Sequence, residues 1–163
     1  MKEYFDLMNK EIQREKGTII KYMGDEIMVL FGAPLPLEEH AARACRAALR
    51  MQEVLDAKRP VWNREGKPEV RIGIGIHTGP MLVGIIGSSE RYEYGAIGDN
   101  VNLASRIQGL TKDYQSPIII SEDTAKLAGD AFQTRKLDCV KVRGRSTEIT
   151  IFELIGNSGR ISP

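Results

Sequence analysis

The sequence has few cysteines and no long apolar run. Cys45 and Cys139 are the only cysteines in 163 residues, and they lie far apart without the spacing of metal ligands. We therefore expect two reduced thiols in a cytoplasmic protein. No apolar run reaches the roughly 20 residues of a membrane-spanning helix, and the charged start MKEYFDLMNKE lacks the apolar core of a signal peptide. These absences predict no membrane span in this chain.

The chain also lacks an excess of either charge. Lys and Arg total 23, and Asp and Glu total 22, so the composition gives no reason to expect nucleic acid or an anionic membrane as a partner. A length of 163 residues fits one domain with a sizeable core. We predict a single domain over residues 1–155 and a flexible tail over residues 156–163.

Helical and strand-like patterns are intermixed along the chain. Apolar residues at helical spacing predict helices over residues 2–15 and 37–58, and a third helix that opens at Gly98-Asp99. The long second helix is expected to end before Pro60. Short apolar runs predict strands at 18–23, 26–31, 70–76, 81–86, 117–120, 132–143 and 148–155. We expect the third and fourth of these to form a hairpin, and the whole to be α+β with a mostly antiparallel sheet and flanking helices.

Three segments carry the informative motifs: KYMGDEIMVLFGAP from Lys21, RIGIGIHTGPMLVGIIGSSERYEYGAIGDNVNLASRI from Arg71, and KVRGRSTEITIFEL from Lys141. Taken alone, Gly-Asp-Glu in a hairpin is weak, because aspartate in a turn is usually a turn former. Together and in this order, the segments resemble the catalytic domain of class III adenylyl and guanylyl cyclases. The resemblance implies a ferredoxin-like cyclase fold that forms a head-to-tail homodimer, with two composite sites at the interface.

The resemblance to the adenylyl type implies conversion of ATP to cyclic AMP and pyrophosphate. The ribose 3′-hydroxyl attacks the α-phosphorus of the same molecule, so positioning and charge neutralisation do nearly all of the work. The family pattern implies two Mg²⁺ or Mn²⁺ ions per site, held by carboxylates. Asp25, between the strands 18–23 and 26–31, matches the second of the family's two metal aspartates.

The family's first metal aspartate lies in a Phe-x-Asp-Ile-x-Gly-Phe segment on its first strand, and this sequence contains no match to that segment. We therefore expect the cyclase fold to be N-terminally truncated here, and the chain alone to be weakly active or inactive. Phe5-Asp6-Leu7 resembles the segment superficially. Because Asp6 lies in a helical pattern, we do not expect it to bind metal.

Two positions bear on the choice of nucleotide. A lysine at the place of Lys21 faces adenine in adenylyl cyclases, whereas guanylyl cyclases carry a glutamate there, because adenine N1 accepts a hydrogen bond and guanine N1 donates one. The family's second base-reading residue, an aspartate or threonine, falls on Gly95, which has no side chain. Selection of ATP over GTP is therefore expected to depend on Lys21, backbone groups or water.

Three further residues match substrate ligands of the family. Asn102 and Arg106 are one helical turn apart, and the resemblance assigns the asparagine to the ribose and the arginine to the triphosphate as charge develops. Arg143 matches a family lysine that reaches the phosphates. We expect Asn102 and Arg106 to be the catalytic residues, and Arg143 to bind substrate.

Other interpretations remain open at this point. They are a guanylyl cyclase, a non-catalytic module that keeps the fold for dimerisation or regulation, and a diguanylate cyclase. The last is disfavoured because Met23 and Ile27 replace residues of its Gly-Gly-Asp/Glu-Glu-Phe hairpin. Retention of Lys21, Asp25 and the Asn102–Arg106 pair argues against a module without catalysis. The resemblance also implies an upstream sensor or regulatory domain in the full-length protein.

Two smaller features have structural interpretations. Gly73 and Gly75 are not followed by the third glycine of a dinucleotide-binding motif, so we expect them to allow close packing on the sheet. His77, which follows them, is expected to hydrogen bond to the backbone at the end of a hairpin.

Overall fold

The computed structural model describes residues 1–142 and 146–159. Its helices are α1 (Lys2–Arg14), α2 (His40–Arg64), α3 (Asp99–Asp113) and α4 (Glu122–Ala128), followed by a 3-10 turn at Gly129–Ala131. Its strands are β1 (Thr18–Met23), β2 (Glu26–Leu30), β3 (Ile74–Ile76), β4 (Leu82–Gly87), β5 (Tyr92–Ile97), β6 (Ile118–Ser121), β7 (Phe132–Lys141) and β8 (Glu148–Asn157). None of the helices in this part of the chain is long and apolar enough to span a membrane.

The central sheet contains four strands in the order β3-β6-β8-β7. β3 runs parallel to β6, whereas β8 is antiparallel to both of its neighbours. The other strands form two separate antiparallel hairpins, β1–β2 and β4–β5. The prediction of an α+β fold with a mostly antiparallel sheet is therefore confirmed. β8 includes the first two residues of the predicted tail, 156 and 157, and residues 160–163 lie outside the described residues.

The predicted hairpin of residues 70–76 with 81–86 is wrong. β3 lies beside β6, far along the chain, and β4 instead pairs with β5, a strand that the sequence patterns did not predict. The apolar alternation before β3 has a different cause, because Val70 and Ile72 pack against the cluster that contains Leu55 and Trp62. Burial of these side chains produced a strand-like pattern without strand pairing.

The long helix also runs beyond its predicted end. α2 continues through Pro60 to Arg64, although proline has no N–H for the bond to the preceding turn. Its last turns are held by packing: Trp62 is only 3% exposed and lies in one cluster with Leu55 of α2 and Met8 of α1. Tertiary burial thus outweighs the local cost of the proline.

The two faces of the central sheet carry different helices. Ile118 and Ile120 of β6 pack in the cluster of α2 and α4, whereas Ile119 packs against Leu103 and Ile107 of α3. Successive side chains of a strand point to opposite faces. α3 therefore lies on the face opposite α2 and α4, with its buried stripe against the sheet.

Two glycines allow α3 to approach the chain at β3. A Cβ added at Gly75 would lie 2.3 Å from the backbone nitrogen of Gln108 and 2.9 Å from the carbonyl oxygen of Ala104. A Cβ at Gly73 would lie 2.0 Å from the hydroxyl oxygen of Thr111. The predicted close packing at these glycines is thus present, and its partner is α3: its backbone at Gly75 and the Thr111 side chain at Gly73.

We expect Gly75→Ala to destabilise the domain by about 2 kcal/mol or more, because the added methyl must displace the backbone of α3. Gly109→Ala is the matched control on the same helix, since a Cβ there meets nothing within 4 Å. It should stabilise the domain by roughly 0.5–1 kcal/mol through helix propensity. Urea unfolding of the two variants measures both effects, and equal stabilities would show that α3 does not sit this close to β3.

Candidate active site

The β1–β2 hairpin carries two of the predicted site residues. Lys21 lies in β1 and Asp25 lies in the two-residue turn between Met23 and Glu26, which are paired. Gly24, the first turn residue, has a φ of 65°, which glycine adopts without steric cost. Both functional side chains are exposed. The hairpin thus presents Lys21 from its first strand and Asp25 from its turn to solvent.

A β-bulge lies immediately before Lys21. The strand register shifts between Ile19, which pairs with Val29, and Lys21, which pairs with Met28. The extra residue changes the face on which the following side chains emerge, and bulges are common beside active sites for this reason. The direction of the Lys21 side chain therefore depends on a local irregularity that alternation of residues does not reveal.

The hairpin is attached to α1 by aromatic and polar contacts. The Tyr22 hydroxyl donates to Asn9 Oδ1 at 3.0 Å, and the Tyr22 ring meets Phe5 edge-on with centroids 4.8 Å apart. Burial, and after it the nearby Asp25 carboxylate, raises the pKa of Tyr4 in α1 above its ordinary value. These contacts fix a two-stranded ribbon that would be only marginally stable by itself.

α3 carries the second group of predicted site residues. Asn102 and Arg106 are exposed, whereas Leu103, Ile107 and Thr111 form its buried face. The helical period explains both facts, because residues four apart share a face. The two polar side chains therefore emerge one turn apart, away from the sheet, as expected.

Gly95 lies in β5 shortly before α3, opposite Gly84 of β4. It is buried, and a Cβ at this position would lie 2.9 Å from the Cδ1 atom of Ile86. The Ile86 side chain thus occupies the space that a side chain at position 95 would need. Ile86 did not stand out in the sequence because β5, and hence the pairing of β4 with β5, was not predicted.

Residues 1–156 match the family model of the adenylate and guanylate cyclase catalytic domain. The chain belongs to this family. Adenylate cyclase 1 of Rhizobium meliloti is 40% identical to it over 156 residues, which are 96% of this chain but 24% of the relative. The chain thus spans about a quarter of that relative's length.

Solved cyclase structures have the same fold. The crystal structure of the guanylyl cyclase Cya2 superimposes with a TM-score of 0.84 at 35% identity, over 98% of this chain and 80% of that one. The adenylyl cyclase CyaB from P. aeruginosa superimposes with a TM-score of 0.87 at 30% identity, over 99% of this chain and 83% of that one. The ferredoxin-like cyclase fold is therefore shown, and both nucleotide classes occur among its relatives.

The cyclase domain exposes apolar side chains on the β4–β5 hairpin. Leu82 is 76% exposed and Ile85 is 74% exposed on β4, and Tyr92 and Ile97 of β5 are 68% and 55% exposed. Leu82 and Ile85 lie on opposite faces of the ribbon, since their spacing in the strand is odd. A hairpin that is apolar and exposed on both faces indicates an interaction surface.

A metal site is only partly provided by the residues that the structure describes. Within them, no group of three His, Cys, Asp or Glu side chains could hold a metal ion. Mg²⁺ is commonly bound through one or two carboxylates together with water and substrate phosphates. Asp25 fits one such carboxylate.

Arg143, the third predicted substrate ligand, lies outside the described residues. The other five predicted positions fall on two separate parts of the chain. The β1–β2 hairpin holds Lys21 and Asp25, and the β5–α3 segment holds Gly95, Asn102 and Arg106. Each group therefore comes from one continuous segment of the chain.

Proposed function

We propose that this cyclase domain converts ATP to cyclic AMP and pyrophosphate at a site shared by two chains. The observation that carries the proposal is the exposure of Lys21, Asp25, Asn102 and Arg106 on elements whose opposite faces are packed. Their side chains are not required by the hydrophobic core. A domain kept only for dimerisation would need none of these polar groups at these places.

The reaction needs alignment and charge neutralisation rather than a covalent intermediate. The bond from the 3′-oxygen to the α-phosphorus forms while the bond from that phosphorus to the bridging oxygen of pyrophosphate breaks in line. Asn102 would orient the ribose by hydrogen bonds, and the Arg106 guanidinium would bind the charge that develops on the triphosphate. Because both side chains leave the same face of α3, one substrate can contact both.

Divalent ions would supply neutralisation of the phosphates and polarisation of the attacking hydroxyl. In this chain Asp25 is the residue that would hold them. We propose Mg²⁺ or Mn²⁺, two per site, with the second carboxylate supplied by the family's first-strand aspartate, which this sequence does not contain. The position of Asp25 at a short turn, close to the attachment on α1, suits a ligand that must be held firmly.

Base selection would depend mainly on Lys21. Its ammonium can donate to adenine N1 but cannot accept from guanine N1. Gly95 adds no side chain, and Ile86 beside it offers only an apolar contact. GTP is the second candidate substrate, and the observation that favours it is the similarity to the guanylyl cyclase Cya2 at 35% identity.

A head-to-tail homodimer would complete the sites. The exposed apolar surface of the β4–β5 hairpin supports this proposal, since Leu82, Ile85 and Tyr92 would lose their contact with water in an interface. In the proposed arrangement one chain gives Lys21, Asn102 and Arg106 to a site, and the other gives the carboxylates. A regulatory domain elsewhere in a longer protein is part of the same proposal, because the chain covers 24% of the length of the R. meliloti relative.

Lys21→Glu should lower kcat/KM for ATP more than for GTP, because a carboxylate accepts from guanine N1 but repels adenine N1. The change should stay within the factor of about 10–100 that one charged hydrogen bond supplies. Lys136→Glu on β7 is the control for charge reversal at an exposed strand lysine. Equal losses for both nucleotides would show that Lys21 does not contact the base. The assay uses the chain extended by the family's first strand.

Asp25→Ala and Arg106→Ala should each reduce turnover by roughly 100-fold or more, the scale of removing a preorganised charge partner. The two losses should differ in kind. Asp25→Ala should abolish the dependence of nucleotide binding on divalent metal, whereas Arg106→Ala should leave it intact. Titration of nucleotide binding against Mn²⁺ distinguishes the two variants. Arg135→Ala on β7 is the control for loss of an exposed arginine outside the proposed site. Near-normal turnover of Asp25→Ala would show that this aspartate only forms the turn and does not bind metal.

Mixing experiments should separate a catalytic domain from a module that only dimerises. The chain alone should turn over ATP very slowly, because only Asp25 is present among the two family carboxylates. A partner chain that has the first strand but carries Arg106→Ala should also be weak. The mixture should exceed both, since one hybrid site then has both carboxylates from the partner and an intact Lys21, Asn102 and Arg106 from this chain.

The mixing result has two opposing outcomes. A flat mixing curve, with dimerisation confirmed by light scattering, would mean that the substrate half of this chain is not competent. Strong turnover by the chain alone would show that another carboxylate replaces the missing one, and Asp6 and Glu26 would be tested first.

A further inference from the structure

His77 lies at the junction of β3, α3 and α4. Its Nδ1 atom is 2.7 Å from the Ser121 hydroxyl, and its Nε2 atom is 2.9 Å from Asn100 Oδ1. Two side chains thus face the ring nitrogens where a backbone partner was expected. The ring joins the end of β3 to the first turn of α3 on one side and to the start of α4 on the other.

The hydrogen bonds of Asn100 determine which ring nitrogen of His77 carries the proton. Asn100 Nδ2 donates to the Pro80 carbonyl oxygen at 2.6 Å, and a flipped amide would place two acceptor oxygens in contact. Its Oδ1 atom therefore faces His77. Because an amide oxygen only accepts, Nε2 must be the protonated nitrogen that donates to it, and Nδ1 lies opposite the Ser121 hydroxyl.

The groups behind the ring are buried and mutually hydrogen-bonded. Ser121 Oγ caps α4 by accepting from the Thr124 amide at 3.3 Å, and it lies 3.2 Å from the Thr124 hydroxyl. That hydroxyl lies 2.8 Å from the Thr78 hydroxyl. Ser121 and Thr124 are both 0% exposed. His77 is thus supported from a rigid part of the core.

Asn100 is the point at which this support reaches α3. The N-cap residue, Gly98, makes no side-chain capping bond among the described residues. Gly73 and Gly75 set how close α3 lies to β3. The bonds from Asn100 to His77 and Pro80 lie at the end of the helix nearest Asn102.

We propose that His77 is a positioning residue for the cyclase reaction. Its imidazole, protonated on Nε2, holds Asn100 and thereby sets the position of Asn102 and Arg106 on α3. The inference rests on the proposed function for its catalytic consequence. The hydrogen-bond arrangement itself can be tested without turnover.

Two variants separate the bond to Asn100 from the volume of the ring. Gln at position 77 can place an amide N–H where Nε2 lies, whereas Asn is too short to reach Asn100. His77→Asn should lower kcat about tenfold or more with little change in KM, because misplacement of about 1 Å has effects of this size. His77→Gln should stay within a few-fold of the parent.

A double-mutant cycle tests whether His77 acts through the catalytic arginine. The loss of kcat from His77→Asn should shrink in an Arg106→Ala background, because the arginine that was misplaced is then absent. An undiminished loss, or equal losses for His77→Gln and His77→Asn, would overturn the proposal. These assays use the chain extended by the family's first strand or the active mixture described above.

Nitrogen-15 NMR of the chain tests the arrangement directly. The sequence has two histidines, so His40→Gln assigns the His77 ring. We expect the Nε2-protonated tautomer, and faster hydrogen exchange in the first turn of α3 for His77→Asn than for His77→Gln. A ring protonated on Nδ1 alone, or unchanged exchange, would overturn the positioning role. Absence of turnover with ATP and GTP in every form would instead contradict the proposed function while leaving these NMR results decisive.

Discussion

The contact of α3 with β3 constrains the rest of the domain. Gly75 brings the two backbones together, and the apolar stripe of Leu103 and Ile107 then meets Ile119 on the sheet. Once that stripe is buried, the helical period leaves Asn102 and Arg106 on the opposite side. The exposure of these two side chains is therefore a consequence of core packing. A residue larger than glycine at position 75 would move the face of Asn102 and Arg106 together with the hydrophobic one.

The β1–β2 hairpin depends on a different support, the packing of α1 on α2. Glu11 of α1 is 3% exposed, and its Oε2 atom lies 3.3 Å from Arg14 Nη1 and 3.6 Å from Arg50 Nε of α2. Glu15, which directly follows α1, pairs with Arg43 and Arg46 of α2. A buried carboxylate needs such partners, because desolvation of an unpaired charge is costly. The position of Asp25 thus depends on an ion-paired helix interface, and that of Arg106 on an apolar helix–sheet contact.

Sequence patterns predicted the elements that have a strong period and missed those that depend on distant partners. The helix of Asn102 and Arg106 was predictable because Leu103 and Ile107 repeat at helical spacing. β5 was missed because Gly95 and Ala96 interrupt its apolar character, and its partner β4 had been paired with another run. α2 passes Pro60 because Trp62 is buried by α1, which no local pattern shows. The motif residues themselves were identified by resemblance to a family, which required no knowledge of packing.

The surroundings of Gly95 limit how well this site can distinguish bases. Polar groups give strong discrimination when the wrong ligand leaves them buried and unpaired. Gly95 has no such group, and the Cδ1 atom of Ile86 lies 2.9 Å from where its Cβ would be. An apolar surface contacts adenine and guanine about equally, since their rings have the same shape, so it adds binding without selection. In the proposed site, discrimination would then rest on Lys21, whose exposed ammonium would keep part of its hydration and contribute less than a desolvated charge. Two substitutions together could improve selection between the bases: a polar side chain at position 95 would add a second base contact, and a smaller side chain at position 86 would make room for it. A change at position 86 alone would only enlarge the space.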